Sequence, residues 1–365
     1  MSLSAILLFF VILLALVIVH EFGHFIAAKL TGMRVDEFAF GFPPKLFSKK
    51  KGETTYSFNA LPLGGYVAIY GENGEPDDKA KHDPRAFGNR PWWAQLVTLV
   101  AGVVMNMVLA VIVFIFISYG EIRVSVDDPE YGARVTKPEL VVVESSPESP
   151  AYKAGLIPGS VITNITGRKA SFAGVNATSA AEFIRKHIDE PLTITYILPN
   201  QALASTTVTG VYGIIPDRKA LGVSLDSIGY VDAGVLDALV IGVERTYNMT
   251  LMTLDGLSML LASIGKGESV IDSLSGPIGI ARIVGQTSEY GYDAVLNLVA
   301  VLSINLAIFN ILPLPALDGG RMIIVIGETI TRRKFPHKYM SAINAVGFVL
   351  LILLLIVVSV KDVTM

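Results

Sequence analysis

The sequence predicts a multi-pass α-helical membrane protein with four transmembrane helices, a membrane-associated β-hairpin or small sheet, and an inserted α+β domain. Three observations carry this. Mean hydropathy is +0.56, with 52% hydrophobic and only 17% charged residues, outside the usual range of a soluble chain. Four segments reach the roughly 20 apolar residues that a span needs. Between the second and third of them lies a polar stretch of about 110 residues, within the usual size of one domain. The formal charge of -3 comes with no basic tail or stripe, so nucleic acid is not expected as a partner. There is no cysteine, which excludes disulfides, thiol nucleophiles and Cys-ligated metals.

Residues 1–30 form the first span. Leu3 to Ala28 is apolar except for His20, Glu21 and His24, and no Lys or Arg precedes Lys29. The segment therefore reads as a retained helix rather than a cleaved signal, which needs a basic start and a small-residue cleavage site. Residues 31–90 read as a cytoplasmic, membrane-associated β region. Residues 91–120 hold the second span, opened by Trp92 and Trp93 after Arg90, the aromatic and basic marks of a membrane boundary. In 121–233, "ELVVVE" and "LTITYIL" read as strands, "SAAEFIRKHI" as an amphipathic helix, and "GLIPGSVITNITG" as a turn feeding a strand. Residues 234–293 carry a long helical pattern interrupted by Asp237, Glu244, Arg245 and Asp255, read as an amphipathic helix at the interface or against the bundle, followed by a linker.

Residues 294–320 hold the third span, in which Asn297, Ser303, Asn305 and Asn310 predict packing inside a bundle rather than against lipid. Residues 321–341 read as a cytoplasmic loop, and 342–365 as the fourth span with the C-terminus. Basic residues concentrate between spans one and two and between spans three and four. The positive-inside rule makes both connections cytoplasmic and both chain termini extracytoplasmic.

Ionisable side chains at membrane depth are costly and mark function. His20 and His24 are four residues apart and project from one helical face. Zinc favours such nitrogen donors, and a hydrolytic site uses three protein ligands. Glu21 completes an H-E-x-x-H pattern, in which the carboxylate serves as general base. Of the other histidines, His82 and His337 lie in polar connections and His187 in the inserted domain. Asp318 is the best candidate for the third ligand: it follows Pro313 and Pro315, which break the third span and free backbone groups that only a lined cavity tolerates.

Two resemblances follow. "AYKAGLIPGSVITNITG" resembles part of a PDZ domain, a module that takes extended peptides or chain ends by strand addition. "HEFGH" together with "NILPLPALDGG" resembles the site-2 protease family of intramembrane zinc metalloproteases, in the bacterial branch typified by the regulator of sigma-E protease. "GFPPKLF", "LPLGGYVAIYGE", "AFGNRPWWAQLVTLVAGVVMN" and "LSGPIGIARIVG" extend the likeness over nearly the whole chain. The resemblance implies Zn2+ held by His20, His24 and Asp318, Glu21 as catalytic acid/base, and Asn310 holding the substrate backbone. It implies a strand around Gly64, Gly65 and Tyr66 that clamps an extended substrate. The implied partners are single-span membrane proteins, of the anti-sigma factor or remnant signal peptide type, and the implied location is the bacterial inner membrane. The insert holds one PDZ-like unit where some relatives carry two, and "AGVVMN" stands where relatives often have a proline after the glycine. The competing readings are an intramembrane metal-ion transporter, which needs no base beside a water position, and an inactive PDZ scaffold.

Overall fold

Residues 3–30 form one continuous helix because nothing in them breaks it: the segment has no proline, Ser2 caps it by accepting from the Ala5 N–H at 3.2 Å, and Gly32, at φ +76°, lies just past its end. The computed structural model describes residues 2–72, 82–215, 218–267 and 274–364. In chain order the elements are α1 (Leu3–Leu30), β1 (Val35–Lys51), β2 (Thr54–Ile69), α2 (Trp92–Ile117), β3 (Gly120–Ser125), β4 (Thr136–Ser145), α3 (Pro150–Lys153), β5 (Val161–Thr166), β6 (Ser171–Phe172), α4 (Ala177–Lys186), β7 (Leu192–Ile197), β8 (Leu203–Val208), β9 (Val211–Ile215), β10 (Arg218–Ala220), β11 (Val223–Ala233), α5 (Val235–Gly265), α6 (Pro277–Ser288), α7 (Tyr292–Ile311), α8 (Asp318–Thr331) and α9 (His337–Thr364). Two compact units result, Met1–Ile117 with Ala238–Met365, and Ser118–Asp237.

In the first unit, α1, α2, α7 and Tyr339–Thr364 of α9 are long and apolar enough to cross a membrane. α1 is apolar all round, yet only one face is buried: Ile12, Leu16, His20, Gly23, His24 and Ala27 recur at three- and four-residue steps. That face meets α2, which in turn packs Ala110, Val113 and Phe114 against Ala300, Ile304 and Ile308 of α7. Ser303 donates to the Asn106 carbonyl at 2.8 Å, and Thr253 of α5 donates to Asn305 at 3.1 Å. Two of the polar residues in the third span thus have partners on neighbouring helices. Such a bond is worth about 0.6 kcal/mol in a membrane protein, enough to fix helix rotation but not to hold the bundle.

Among the described residues of 234–293 there are two helices, α5 and α6, where one helix and a linker were expected; 268–273 lie outside the described residues. Met249 and Leu257 of α5 lie against the α2–α7 core. Pro277 starts α6, a position where its missing N–H costs nothing, and Val284 packs between Ile12 and Leu16 of α1. Asp362, near the end of α9, caps α6 from outside: its Oδ2 accepts from the N–H groups of Gly276 and Gly279 at 2.9 and 2.8 Å. The connection expected at 321–341 is also partly helical, since α8 runs to Thr331. Met322 and Val325, three residues apart, bury against Ala94 and Leu99 of α2, and that apolar face is what makes a helix of the segment. Elsewhere α9 is largely exposed, but Gly347 lies directly on Pro315; a β-carbon there would sit 2.3 Å from the proline ring.

β1 and β2 are long antiparallel strands that double back. Residues 37–40 face 65–68 of β2 on one side and 55–58 on the other, while 47–51 pair with 54–58. Segment 65–68 is therefore an edge.

The second unit holds a seven-stranded sheet in the order β3-β11-β4-β5-β7-β8, with β6 beside β5. The strands and helix expected at "ELVVVE", "VITNIT", "LTITYI" and "SAAEFIRK" are present as β4, β5, β7 and α4. Leu192, Ile194 and Tyr196 alternate inward with Ile165, Leu140 and Ala180 of α4 to make the core. β11 pairs with β4 from Val223, but with β3 only from Ile228, so its first residues have one open side. Beside them, between β11 and α4, lies a cavity of about 640 Å³. Gly120 and Ala233, the first residue of β3 and the last of β11, are paired.

Candidate metal centre

The α1 helix sets His20 and His24 one turn apart, with ring centroids at 4.7 Å and planes at 84°. The third span ends at Ile311, and the chain turns through Pro313, Pro315 and Ala316, which takes φ +69°. α8 then starts at Asp318 with its carboxylate facing both rings. Gly319 is required for close approach rather than for a left-handed turn, because a β-carbon there would lie 2.2 Å from the carbonyl oxygens of Ile311 and Leu312. His20 Nε2 lies 3.0 Å from Asp318 Oδ2, His24 Nε2 lies 3.3 Å from the same oxygen, and the two Nε2 atoms are 3.1 Å apart. Among the described residues this is the group of His and carboxylate side chains placed to hold a metal ion.

The donor chemistry fits zinc. His24 Nδ1 donates to the Thr98 carbonyl at 2.8 Å, which fixes the proton on Nδ1 and leaves a lone pair on Nε2. His20 Nδ1 lies 3.2 Å from the Asn106 amide nitrogen, while the buried Oδ1 of Asn106 has no partner among the described residues. With the amide turned over, Oδ1 accepts the His20 Nδ1–H and both imidazoles present bare Nε2 atoms. Two lone pairs and a carboxylate oxygen then converge with no hydrogen between them, an arrangement that a cation relieves. Tetrahedral zinc with bonds of about 2.0–2.1 Å has ligand–ligand edges of about 3.3–3.4 Å, close to the observed triangle.

The other expected residues fall as follows. Asn310 Nδ2 reaches within 3.4 Å of His20 Nε2. Glu21 accepts the Val67 N–H, so Val67 points that group away from β1. By strand alternation, Gly65 presents its N–H and C=O on the same outer side. Gly65 also packs on Glu21, with its β-carbon position 3.8 Å from Glu21 Cγ. Gly64 lies under the Phe42 ring. Tyr66 turns its side chain away: its ring stacks with Phe42 and its hydroxyl interacts with Glu37 and Asn59, so only its backbone lies on the strand beside the metal centre.

Thr98 and Gly102 were not expected here. A β-carbon on Gly102 would come within 2.5 Å of His24 Nε2 and 2.7 Å of His20 Cε1. Their signal in the sequence is the spacing: Thr98, Gly102 and Asn106 recur every four residues on one face of an otherwise large-residue apolar span. Arg321 forms a part-buried ion pair with Glu72 and donates to the Glu72 carbonyl at 2.7 Å. This ties the start of α8 to the end of β2.

Comparisons with known proteins find relatives named as zinc metalloproteases. A relative from Clostridium perfringens is 34% identical over 351 residues, covering 96% of this chain and 95% of its own length. Zinc metalloprotease RasP of Geobacillus kaustophilus is 30% identical over 440 residues, covering 99% and 98%. Zinc metalloprotease RasP of Oceanobacillus iheyensis is 29% identical over 427 residues, covering 95% and 96%. The family described as Peptidase family M50 matches residues 8–354, and the chain belongs to that family.

Proposed function

We propose that this chain cleaves peptide bonds inside the membrane-spanning segments of other proteins. As a member of family M50 it is a metalloprotease, and zinc is its metal. The observation that carries the finer reading is the convergence of His20 Nε2, His24 Nε2 and Asp318 Oδ2 within 3.3 Å of one another, on helices apolar enough to cross a bilayer.

His20, His24 and Asp318 hold the ion. Held there, zinc would supply a Lewis acid for the scissile carbonyl and lower the pKa of water towards neutral. Glu21 takes a proton from the attacking water and returns it to the departing amide nitrogen. Asn310, next to His20, donates to the substrate backbone. A substrate helix hides its amides in internal bonds, so it must unwind before attack. At the 65–68 edge of β2 the N–H and C=O of Gly65 offer replacement hydrogen bonds to the extended strand, beside the Val67 N–H that Glu21 already holds.

The substrates in this reading are single-span proteins, of the anti-sigma factor or remnant signal peptide type that the resemblance suggests. With both basic connections cytoplasmic, the cut falls in the inner third of a bacterial inner membrane. The inserted domain, PDZ-like in its element order, takes an extended peptide or chain end at the open edge of β11 and filters substrates by size.

Replacing Glu21 by Gln tests this. In proteoliposomes carrying a single-span substrate, Glu21→Gln should abolish cleavage while the purified protein still retains about one zinc per chain by elemental analysis. Cleavage that persists in the variant overturns the role given to Glu21, and a wild-type protein without zinc overturns the whole reading.

A further inference from the structure

We propose that the connection after α8 and the start of α2 form a binding site for a phosphate-bearing anion at the membrane boundary, separate from the metal centre. A cavity of about 290 Å³ lies between Arg90 and Trp92 on one side and the last turns of α8 with the residues after it on the other. Its lining includes four cations, Arg90, Arg332, Arg333 and Lys334, against one carboxylate, Glu328.

The backbone builds this arrangement. Arg332 adopts φ +53° and ends α8 in the left-handed conformation. The chain is thereby turned back, and Lys334 donates to the Gly88 carbonyl at 3.0 Å and to Glu328 at 3.1 Å. Lys334 and Glu328 are thus spent on each other and on closing the rim. Arg90 is held through its terminal nitrogens by the Thr31 and Pro84 carbonyls, while its buried Nε–H has no acceptor among the described residues. Arg332 and Arg333 are exposed and make no ion pair among the described residues. Two guanidinium forks with no ion pair among the described residues, Arg332 and Arg333, therefore line one cavity with Arg90, and its sole carboxylate is already paired.

Guanidinium forks match phosphate oxygens bidentately. The volume is at the lower end of small-molecule sites, about 300–1,000 Å³, which suits a phosphoglycerol-sized head rather than a nucleotide. Trp92, which lines the cavity, is about half exposed at 53%, an aromatic side chain suited to the level where acyl chains leave a headgroup. The inference takes this face as the cytoplasmic one but is independent of the proteolytic reading. The shared chemistry is a phosphate mono- or diester, whether from an anionic lipid or from a soluble compound.

Trp92 and Trp93 are the only tryptophans in the chain, so intrinsic fluorescence reports on the site. The full chain in neutral detergent is titrated with dihexanoyl phosphatidylglycerol, dihexanoyl phosphatidylcholine, glycerol 3-phosphate and inorganic phosphate, and the thermal midpoint is followed in parallel. The comparison variants are Arg332→Gln with Arg333→Gln, and, as a charge-matched control on another surface, Lys49→Gln with Lys50→Gln. The expected result is a saturable response to phosphatidylglycerol that weakens by about tenfold or more in the arginine pair and stays near wild type in the lysine pair. A response to phosphatidylglycerol alone identifies a lipid headgroup as the source; an equal response to glycerol 3-phosphate identifies a soluble one. If neither fluorescence nor the thermal midpoint saturates with any ligand, or if both variant pairs weaken binding equally, the site does not exist.

Discussion

Gly102 sets how closely the helix carrying Thr98 and Asn106 approaches the two imidazoles. Because a β-carbon at 102 would overlap both rings, Gly102→Val should push His20 and His24 off their carbonyl and amide partners. Outer-shell changes of this kind typically cost 10- to 100-fold in metal affinity. Zinc affinity measured by chelator competition should fall by about that factor, with little change in helix content by circular dichroism. The pattern of legibility has the same physical source. His20, Glu21 and His24 could be picked out because charge or imidazole in an apolar span is anomalous on its face, and Asp318 because it follows the two prolines that break the third span. Thr98 acts through its carbonyl and Gly102 through what it lacks, so their only trace in the sequence is the four-residue spacing they share with Asn106.

The clamp between α8 and β2 lies one level up. Arg321 and Glu72 are only 19% and 11% exposed, so removing one partner leaves the other charge poorly solvated. Arg321→Gln should lower stability in detergent by about 3 kcal/mol and weaken zinc retention, because Asp318 begins the same helix. A double variant with the charges exchanged, Arg321→Glu with Glu72→Arg, should recover part of the loss; thermal unfolding and zinc content together test this. Among the elements themselves, the four spans were readable because length and hydropathy suffice to define them. α8 was not: its double glycine and its charges at Arg321 and Glu328 interrupt any apolar run, and its helical face becomes evident only when Met322 and Val325 meet α2. The edge at 65–68 was equally hidden, since doubled-back pairing is long-range information that strand periodicity does not carry.

For the molecule as a whole, the inserted unit enters and leaves through paired residues, Gly120 opposite Ala233. Excision of 119–234 with a short Gly-Ser replacement should therefore leave a membrane unit that binds zinc. Cleavage of bulky single-span substrates should then rise relative to trimmed ones in a reconstituted competition assay, if the insert acts as a filter. The insert's position was legible from the change in composition, whereas its strand order was not, because β11 reaches across to both β3 and β4. A second prediction concerns acid. Arg85 and Lys29 hold the Glu53 carboxyl down to about 2 from 4.5, joining the end of α1, the β1–β2 turn and the segment before α2. A depressed carboxylate contributes stability above its unfolded value and loses it as pH falls through the folded one. The thermal midpoints of wild type and Glu53→Gln should differ near pH 6 and converge as the pH falls from about 4.5 towards 2.

Gly347 resting on Pro315 joins the last apolar helix to the turn that leads into Asp318. Among the described residues, α9 meets the start of α6 near its own end, through Val358 and Asp362, and meets the proline turn at the bare backbone of Gly347. Any side chain at 347 would therefore have to displace the proline turn that ends three residues before Asp318.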